Sequence, residues 1–465
     1  MRYLIRGGMH LFQDRDVNSI LAENKIGGNV GNSVFLSAVA RVIMTQDSTI
    51  DFLSTLDPFY FDDEIKQMNE NYDMFIIPLA NAFRDNFMNE LKALTLLVNK
   101  LKIPSVVIGI GLQNKFNGTG FEFDDCVKKF VNAVLKKSKC LGLRDENTAK
   151  YLEFLGYKRN EQFMVIGCPS MYYYGDKLPE LKNEHQKPNR NSVVNITLKY
   201  AVGEKYHNYI QEQKNNFDKV FYSVQNIDEI RLQYSGLPLN NFKTKVQPFN
   251  QYYPRKITDE ICKNVRAFAE FTSWRNYLSE EVDFSFGNRI HGNITSILSG
   301  VPCFIIACDS RVEGLAEYHK IPYVALRDLD TNKSILQYFA ESDYDLMRQN
   351  HKENFNIYKS FLLKNGITTI FETSNADNCP FDIKMSELPK VDPIKSLSLL
   401  SCDEIIERIG EYDRAQEKVK KLRSKRIKKF ERKYTALNKK YNKLLNFKKC
   451  FPVNIIYKFY ILIKK

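Results

Sequence analysis

The sequence predicts a parallel α/β protein of two domains facing one cleft, followed by a basic helical tail. Three observations predict it. Short apolar runs alternate with amphipathic stretches along most of the chain, the pattern of right-handed βαβ units and parallel sheets. A polar segment at 175–192, with Pro179 and Pro188, splits that alternation into two series. Charge is also unevenly placed: residues 414–465 hold 19 Lys+Arg against 2 Asp+Glu, while the rest of the chain holds 49 against 53. The expected domains are therefore 1–178, 190–375 and 400–465.

In the first series, residues 3–5 read as an opening strand and a polar connection follows. Lys25-Ile26-Gly27-Gly28-Asn29-Val30-Gly31-Asn32-Ser33 is a glycine-rich turn. It leads into a helix whose apolar face is Phe35, Leu36, Val39, Val42 and Ile43. The turn matches neither the dinucleotide G-x-G-x-x-G spacing nor a P-loop. Two readings stay open: a close backbone approach to a ligand, or a tight turn with Asn32 or Ser33 as helix cap. Residues 73–79 and 103–111 read as buried strands, the second ending at Gly109-Ile110-Gly111. Helices are expected over 86–101, 123–139 and 146–155, with short strands at 140–143 and 164–166. Gly111, Arg144-Asp145 and Gly167-Cys168-Pro169 all fall at carboxyl ends of strands, where such sheets bind ligands.

The second series opens with a strand at 193–198, a helix over 203–216 and a strand at 219–224. Residues 226–256, rich in Asn, Gln, Tyr and Pro, are long for a plain loop and read as a substrate-facing insertion. A helix over 260–280 and a strand at 282–286 lead into Gly287-Asn288-Arg289-Ile290-His291-Gly292-Asn293. The next helix carries Ile294, Ile297 and Leu298 and ends at Gly300, with Pro302 beyond. Arg289 and His291 thus stand ahead of a helix N-terminus, where free amides and the helix dipole favour an anion. The following strand, 303–308, ends in Asp309-Ser310-Arg311 before a helix over 312–319. Residues 341–372 read as helical and 373–395 as loop.

The tail carries Ile405, Ile409, Tyr412, Val419 and Leu422 near heptad spacing. It then becomes Lys/Arg-rich and ends in aromatic and aliphatic residues. That composition fits a membrane-surface anchor; a coiled-coil arm making a homo-oligomer and a solvated helix are the alternatives. Since the net charge of +13 resides in the tail, the body is not a nucleic-acid-binding surface. No apolar run is long enough to span a bilayer, and the N-terminus does not read as a signal peptide. The nine cysteines, with no C-x-x-C pair or metal-ligand spacing, read as buried thiols of a reducing cytoplasm.

A lone Arg or His is usually structural. Here Arg144, Arg289, Arg311 and His291 all sit at strand-to-helix junctions that can face one cleft, a set suited to a small, multiply anionic ligand.

The chain resembles the polysaccharide pyruvyl transferase family. Carrying the resemblance over roughly residues 1–330 are Gly28-Asn29-Val30-Gly31-Asn32, Val107-Ile108-Gly109-Ile110-Gly111, Leu143-Arg144-Asp145 and Asp309-Ser310-Arg311. Its most specific piece is Gly287-Asn288-Arg289-Ile290-His291-Gly292 with Ser299-Gly300-Val301-Pro302. The resemblance implies two Rossmann-like domains in a GT-B-like arrangement, plus the basic helical tail. It implies transfer of the pyruvyl group of phosphoenolpyruvate to two hydroxyls of a sugar, forming a cyclic ketal and releasing phosphate. The acceptor would be a surface or capsular glycan or its lipid-linked precursor, and the setting the inner face of the membrane. Arg289 would hold the donor's phosphate or carboxylate, and His291 would act as acid or base. Arg311 and Arg144 would contact the anion, with Asn29, Gly31, Asn32, Gly111, Asn288 and Gly292 around the substrates. Cys168-Pro169 stands where the family often has Asp-Pro, so Asp309 or Asp145 becomes the expected base. Phosphoenolpyruvate is the donor, with no metal or further cofactor expected; the enol ether needs a proton at C3 before a hydroxyl can attack, which suits a His titrating near neutral pH. The alternatives are a GT-B glycosyltransferase using a nucleotide sugar, and a non-catalytic membrane-surface protein.

Overall fold

The computed structural model describes residues 1–53, 60–182, 186–197, 203–236, 264–373 and 378–450. The chain divides into two compact units, Met1–Ile406 and Glu407–Lys465.

The first unit contains two parallel sheet systems. In the first, β1 (Arg2–Arg6), β2 (Thr49–Leu53), β3 (Met74–Pro78) and β4 (Ser105–Ile108) lie in the order β2-β1-β3-β4. β5 (Leu141–Leu143) and β6 (Phe163–Val165) form a pair beside them. A parallel bridge between Ile110 and Leu143 joins that pair to the segment after β4. Register is set by hydrophobic side chains buried on both faces: Phe75, Ile76 and Ile77 in β3 are fully buried, as a covered parallel sheet requires.

The second sheet comprises β7 (Val193–Thr197), β8 (Lys219–Ser223), β9 (Val265–Arg266), β10 (Phe284–Gly287), β11 (Cys303–Ala307) and β12 (Tyr323–Ala325). Its order is β12-β11-β10-β7-β8-β9, all neighbours parallel. Counted within the domain, this is the doubly wound order 3-2-1-4-5-6, whose ligand crevice lies where the order reverses. The reversal falls between β7 and β10, so the turn after Gly287 opens onto it. In the first sheet the reversal falls between β1 and β3.

The helix Gly31–Ile43 is central to this unit. All its residues except Asn32 are buried, which marks an internal element rather than a surface one. It packs against the helices Phe271–Glu281 and Ile290–Leu298, both from the second series. Burial of Val34, Val39, Val42 and Ile43, each fully removed from solvent, contributes about 1.5–3 kcal/mol per side chain. The helix thereby carries the glycine-rich turn of the first domain up to the β10 turn of the second.

Several expectations are corrected. The connection after β1 contains a helix, Val17–Glu23, capped by Asp16. Residues 226–235 are not loop: Asn226 and Glu229 form a reciprocal capping box that starts the helix Ile227–Ser235. The rest of the supposed insertion, 237–256, lies outside the described residues. Of the helix expected over 260–280, residues 260–263 lie outside the described residues; Val265–Arg266 interrupts it by pairing with β8, and a helix then runs over Phe271–Glu281. Within the expected loop 373–395, Pro380 opens a short helix, Pro380–Ser386, held by an Asp382–Arg41 ion pair at 2.6 Å.

The tail is one long helix, Cys402–Cys450, as its periodicity predicts. Ser401 and Glu404 form the box that starts it. In the second unit Leu422, Ile427, Phe430 and Tyr434 are exposed beside the Lys/Arg residues. No described helix is long and apolar enough to cross a membrane. The terminal stretch 451–465 lies outside the described residues. None of the seven described cysteines is disulfide-bonded.

Candidate functional site

Gly287 sets the geometry of the site. Its φ is +137° and an added Cβ would lie 2.2 Å from the Thr197 carbonyl oxygen, so only glycine lets β10 turn this closely past β7. The turn is then locked from behind. The buried Asn293 amide donates to Thr197 Oγ1 at 3.2 Å, to the Gly287 carbonyl at 3.3 Å and to the Arg289 carbonyl at 3.0 Å. Thr295 Oγ1 donates to the His291 carbonyl at 2.6 Å. The helix Ile290–Leu298 begins here with Arg289 as N-cap residue and no side-chain cap. His291 is thus the second residue of the helix rather than ahead of it. The uncapped first turn faces a cavity of about 340 Å³ lined by residues from both sheets.

From the second domain the cavity receives Asn288, Arg289, His291, Asp309, Arg311 and Gln225. From the first it receives Gly27, Gly28, Asn29, Asn32, Asn81, Arg84 and Arg144. Eight of the residues singled out in the sequence therefore meet here. Gly31, Gly111 and Gly292 do not line the cavity; they make room for residues around it. A Cβ at Gly31 would lie 2.7 Å from His291 Cβ, so only a glycine lets the helix Gly31–Ile43 start this close to the histidine. A Cβ at Gly111 would lie 2.2 Å from Arg144 Cδ. One at Gly292 would strike Gln225 and Thr197 at 2.6 Å. Their distinctive spacing in the sequence reflects packing.

The glycine-rich turn is stitched across the cleft by backbone. Val30 N–H donates to the Gln225 carbonyl at 2.9 Å, and Ile227 N–H to the Gly28 carbonyl at 3.0 Å. Asn32 does not cap the following helix: its amide donates to the Ile26 and Gly27 carbonyls. Ser33 donates to the Val30 carbonyl instead, and Asn29 Oδ1 accepts from the Gly31 amide at 2.8 Å. Gly28, at φ +86° with open space around it, presents bare backbone to the cavity.

The arginines differ in their partners. Arg311 is held by Asp309, 2.7 Å at its closest, and Arg289 lies 3.7 Å from Glu229. Arg144 is 2% exposed, and its Nη1 donates to Asn81 Oδ1. Its Nε and Nη2 are buried without a hydrogen-bond partner, which costs free energy unless an acceptor arrives.

Burial, and then the charges of Arg144 and Arg311, push the His291 imidazole down to about 3. The expectation of titration near neutral pH is therefore corrected: burial and the two arginines hold the ring neutral. Its Nε2 lies 3.9 Å from the buried Cys168 Sγ, so Cys168, at the position of the family's frequent Asp, does face the histidine. Asp145 does not line the cavity. It caps the helix Glu146–Phe154 through Thr148, and burial pushes its carboxyl up. Asp309 accepts from the Arg311 and Val312 amides while pairing with Arg311, so its oxygens are already engaged. The described residues bring together no three His, Cys, Asp or Glu side chains able to hold a metal ion.

Sequence reasoning missed Asn81, Arg84 and Gln225. Residues 79–84 follow a strand end, which was the available signal, but no glycine or repeated motif marks them.

Fold and site together define an α/β protein of two Rossmann-like domains enclosing an arginine-lined cavity. Residues 29–310 match the model of the polysaccharide pyruvyl transferase family. The match covers more than half of the chain and includes Asn29–Ser33 of the glycine-rich turn, Arg144 and the β10 turn; the chain belongs to that family. Solved structures also resemble it. A Methanocaldococcus jannaschii UDP-GlcNAc 2-epimerase is 11% identical, covers 78% of this chain and 99% of its own, and has a TM-score of 0.39. A putative UDP-N-acetylglucosamine 2-epimerase from Listeria monocytogenes is 11% identical over 84% of this chain and 98% of its own, with a TM-score of 0.38. An uncharacterised Klebsiella pneumoniae protein is 13% identical over 70% and 93%, with a TM-score of 0.37. The family assignment rests on none of these. No curated protein matches the chain.

Proposed function

We propose that the protein transfers the pyruvyl group of phosphoenolpyruvate to two hydroxyls of a sugar in a polysaccharide or its lipid-linked precursor, forming a ketal and releasing phosphate. One observation carries this reading within the family: a neutral histidine shares a small cavity with four arginines and an uncapped helix N-terminus. Arginines suit a donor that carries a carboxylate and a phosphate, and they stabilise the phosphate as it departs.

In this scheme the bound donor cancels the charges of Arg144 and Arg311 that disfavour imidazolium. An anion within about 4–6 Å raises a histidine's pKa by about 1–3 units, which brings His291 from about 3 to about 4–6, so that donor binding lets the ring take up a proton in mildly acid solution. It delivers that proton to C3 of the enol. The first sugar hydroxyl adds to C2 and gives its proton to the now neutral imidazole, forming a phosphorylated hemiketal-type adduct. The second hydroxyl then attacks C2 as the C2–O bond to phosphate breaks, its proton leaves on the departing phosphate, and the ketal closes. Asn29, Asn32, Asn81 and Asn288 offer neutral donors and acceptors suited to sugar hydroxyls.

The test is calorimetric titration with phosphoenolpyruvate beside UDP- and GDP-sugars, followed by phosphate-release assays with glycan acceptors. Binding of phosphoenolpyruvate and acceptor-dependent phosphate release are expected. Binding of a nucleotide sugar alone would overturn the reading in favour of glycosyl transfer.

We further propose that the basic tail places the enzyme on an anionic lipid surface, the cytoplasmic leaflet, where a lipid-linked acceptor resides. The 19-to-2 charge imbalance over 414–465, with apolar side chains exposed among the cations, supports this. Deleting 414–465 should abolish association with phosphatidylserine vesicles and leave donor binding intact. Vesicle binding that survives the deletion would refute the anchor.

A further inference from the structure

Arg84 is the cavity arginine that no motif announced. It follows β3 at the carboxyl end, in a short segment fixed at both sides. Phe83 is fully buried, its amide donates to the Gly111 carbonyl, and the Gly111 amide donates to the Ala80 carbonyl at 2.7 Å. The loop is therefore tied to the strand end that also makes room for Arg144. Arg84 stacks over Phe87 at 5.4 Å, and the one hydrogen-bond partner of its guanidinium among the described residues is Gln113 Oε1, at 3.5 Å. Its Nε is buried without a partner, as are Nε and Nη2 of Arg144 in the same cavity. Neither arginine is ion-paired to a carboxylate among the described residues, in contrast to Arg311 with Asp309. Burial and the charge of Arg311 both disfavour the Arg84 cation. Like charges directed into one desolvated cavity, with unspent N–H groups, are a built receptor for an anion.

We propose that Arg84 binds substrate anion: with Arg144 it forms the first domain's half of the anion site, opposite Arg311 and the Ile290–Leu298 N-terminus. A ligand with two separated anionic groups then bridges the two domains. The ligand's identity rests on the pyruvyl-donor reading, whereas the anion site itself does not. The arrangement also gives specificity, because a doubly anionic donor engages both halves and inorganic phosphate alone engages one.

The experiment is calorimetric titration of wild type, Arg84→Gln and Arg84→Lys with phosphoenolpyruvate and, separately, inorganic phosphate. Arg84→Gln should bind phosphoenolpyruvate about 10–100-fold more weakly, the loss expected for a charge-assisted pair in a desolvated site. Arg84→Lys, which keeps the charge but not the planar fork, should lose about 3–10-fold. Unliganded Tm should not fall in Arg84→Gln, since a repelling cation is removed. Phosphoenolpyruvate affinity within twofold of wild type in both variants overturns the assignment. If wild type binds phosphate but not phosphoenolpyruvate, and Arg84→Gln weakens phosphate, the anion site stands and the donor reading falls. If wild type binds neither, both fall.

Discussion

The two halves of the cavity hold their arginines differently. In the second domain Arg311 is bonded to Asp309, which compensates its charge and sets its direction before any ligand arrives, and Arg289 lies 3.7 Å from Glu229. In the first domain Arg144 and Arg84 meet amides and aromatic surface instead, with buried N–H groups left over. One half is pre-organised and the other is electrostatically unfinished. The difference teaches where a ligand gains most. Paired arginines orient it, while unpaired ones supply the differential energy because they have no protein acceptor to lose.

The largest break should come at the histidine that lies between these halves. His291→Gln should lower kcat by about 10²–10⁴-fold, the usual worth of a positioned proton donor, with donor affinity changed far less. Next, Arg144→Gln should weaken phosphoenolpyruvate by about 10²-fold or more, measured by calorimetry, because it removes the most deeply buried unpaired cation. If Arg311→Gln costs more in binding than Arg144→Gln, the contrast between the halves is wrong. Smaller still, Glu229→Gln should change donor affinity by less than about fivefold, since Arg289 keeps its place through backbone and turn packing; its KM is the readout.

The same contrast gives a pH prediction. His291 is pushed down to about 3 and His351 down to about 4, both chiefly by burial, against about 6.5 in the unfolded chain. As pH falls below about 6.5 the unfolded chain binds protons that the fold refuses, so stability present above that value is lost progressively toward pH 3. His291→Gln should flatten the fall of Tm between pH 6 and 4. An unchanged slope would show that the imidazole is not held neutral.

Much of the architecture was legible because it rests on local pattern. The strands at Met74–Pro78, Ser105–Ile108 and Cys303–Ala307 are fully apolar runs, and the tail helix has its period and its Ser401–Glu404 box. What escaped was decided by pairing. Val265–Arg266 is a strand only because β8 lies beside it, and Thr49–Leu53 because β1 does. The site divides the same way. His291, Arg289 and Arg311 stand out through their glycines and helix starts. Arg84, Asn81 and Gln225 join them only through the chain's return to the cleft. Gly31 belongs to a turn that reads as a close approach or a tight turn, Gly111 to a strand end and Gly292 to the family motif; at all three what comes close is protein: His291, Arg144 and Gln225.

The central claim is that a donor anion and His291 meet in one cavity and that the anion brings the proton with it. Titrating phosphoenolpyruvate at pH 5 in buffers of different ionisation enthalpy measures proton exchange on binding, at a pH between the ring's value of about 3 without an anion and the value of about 4–6 it reaches beside one. The account predicts greater proton uptake in wild type than in His291→Gln, with binding retained in both. Equal proton exchange in the two proteins would contradict it.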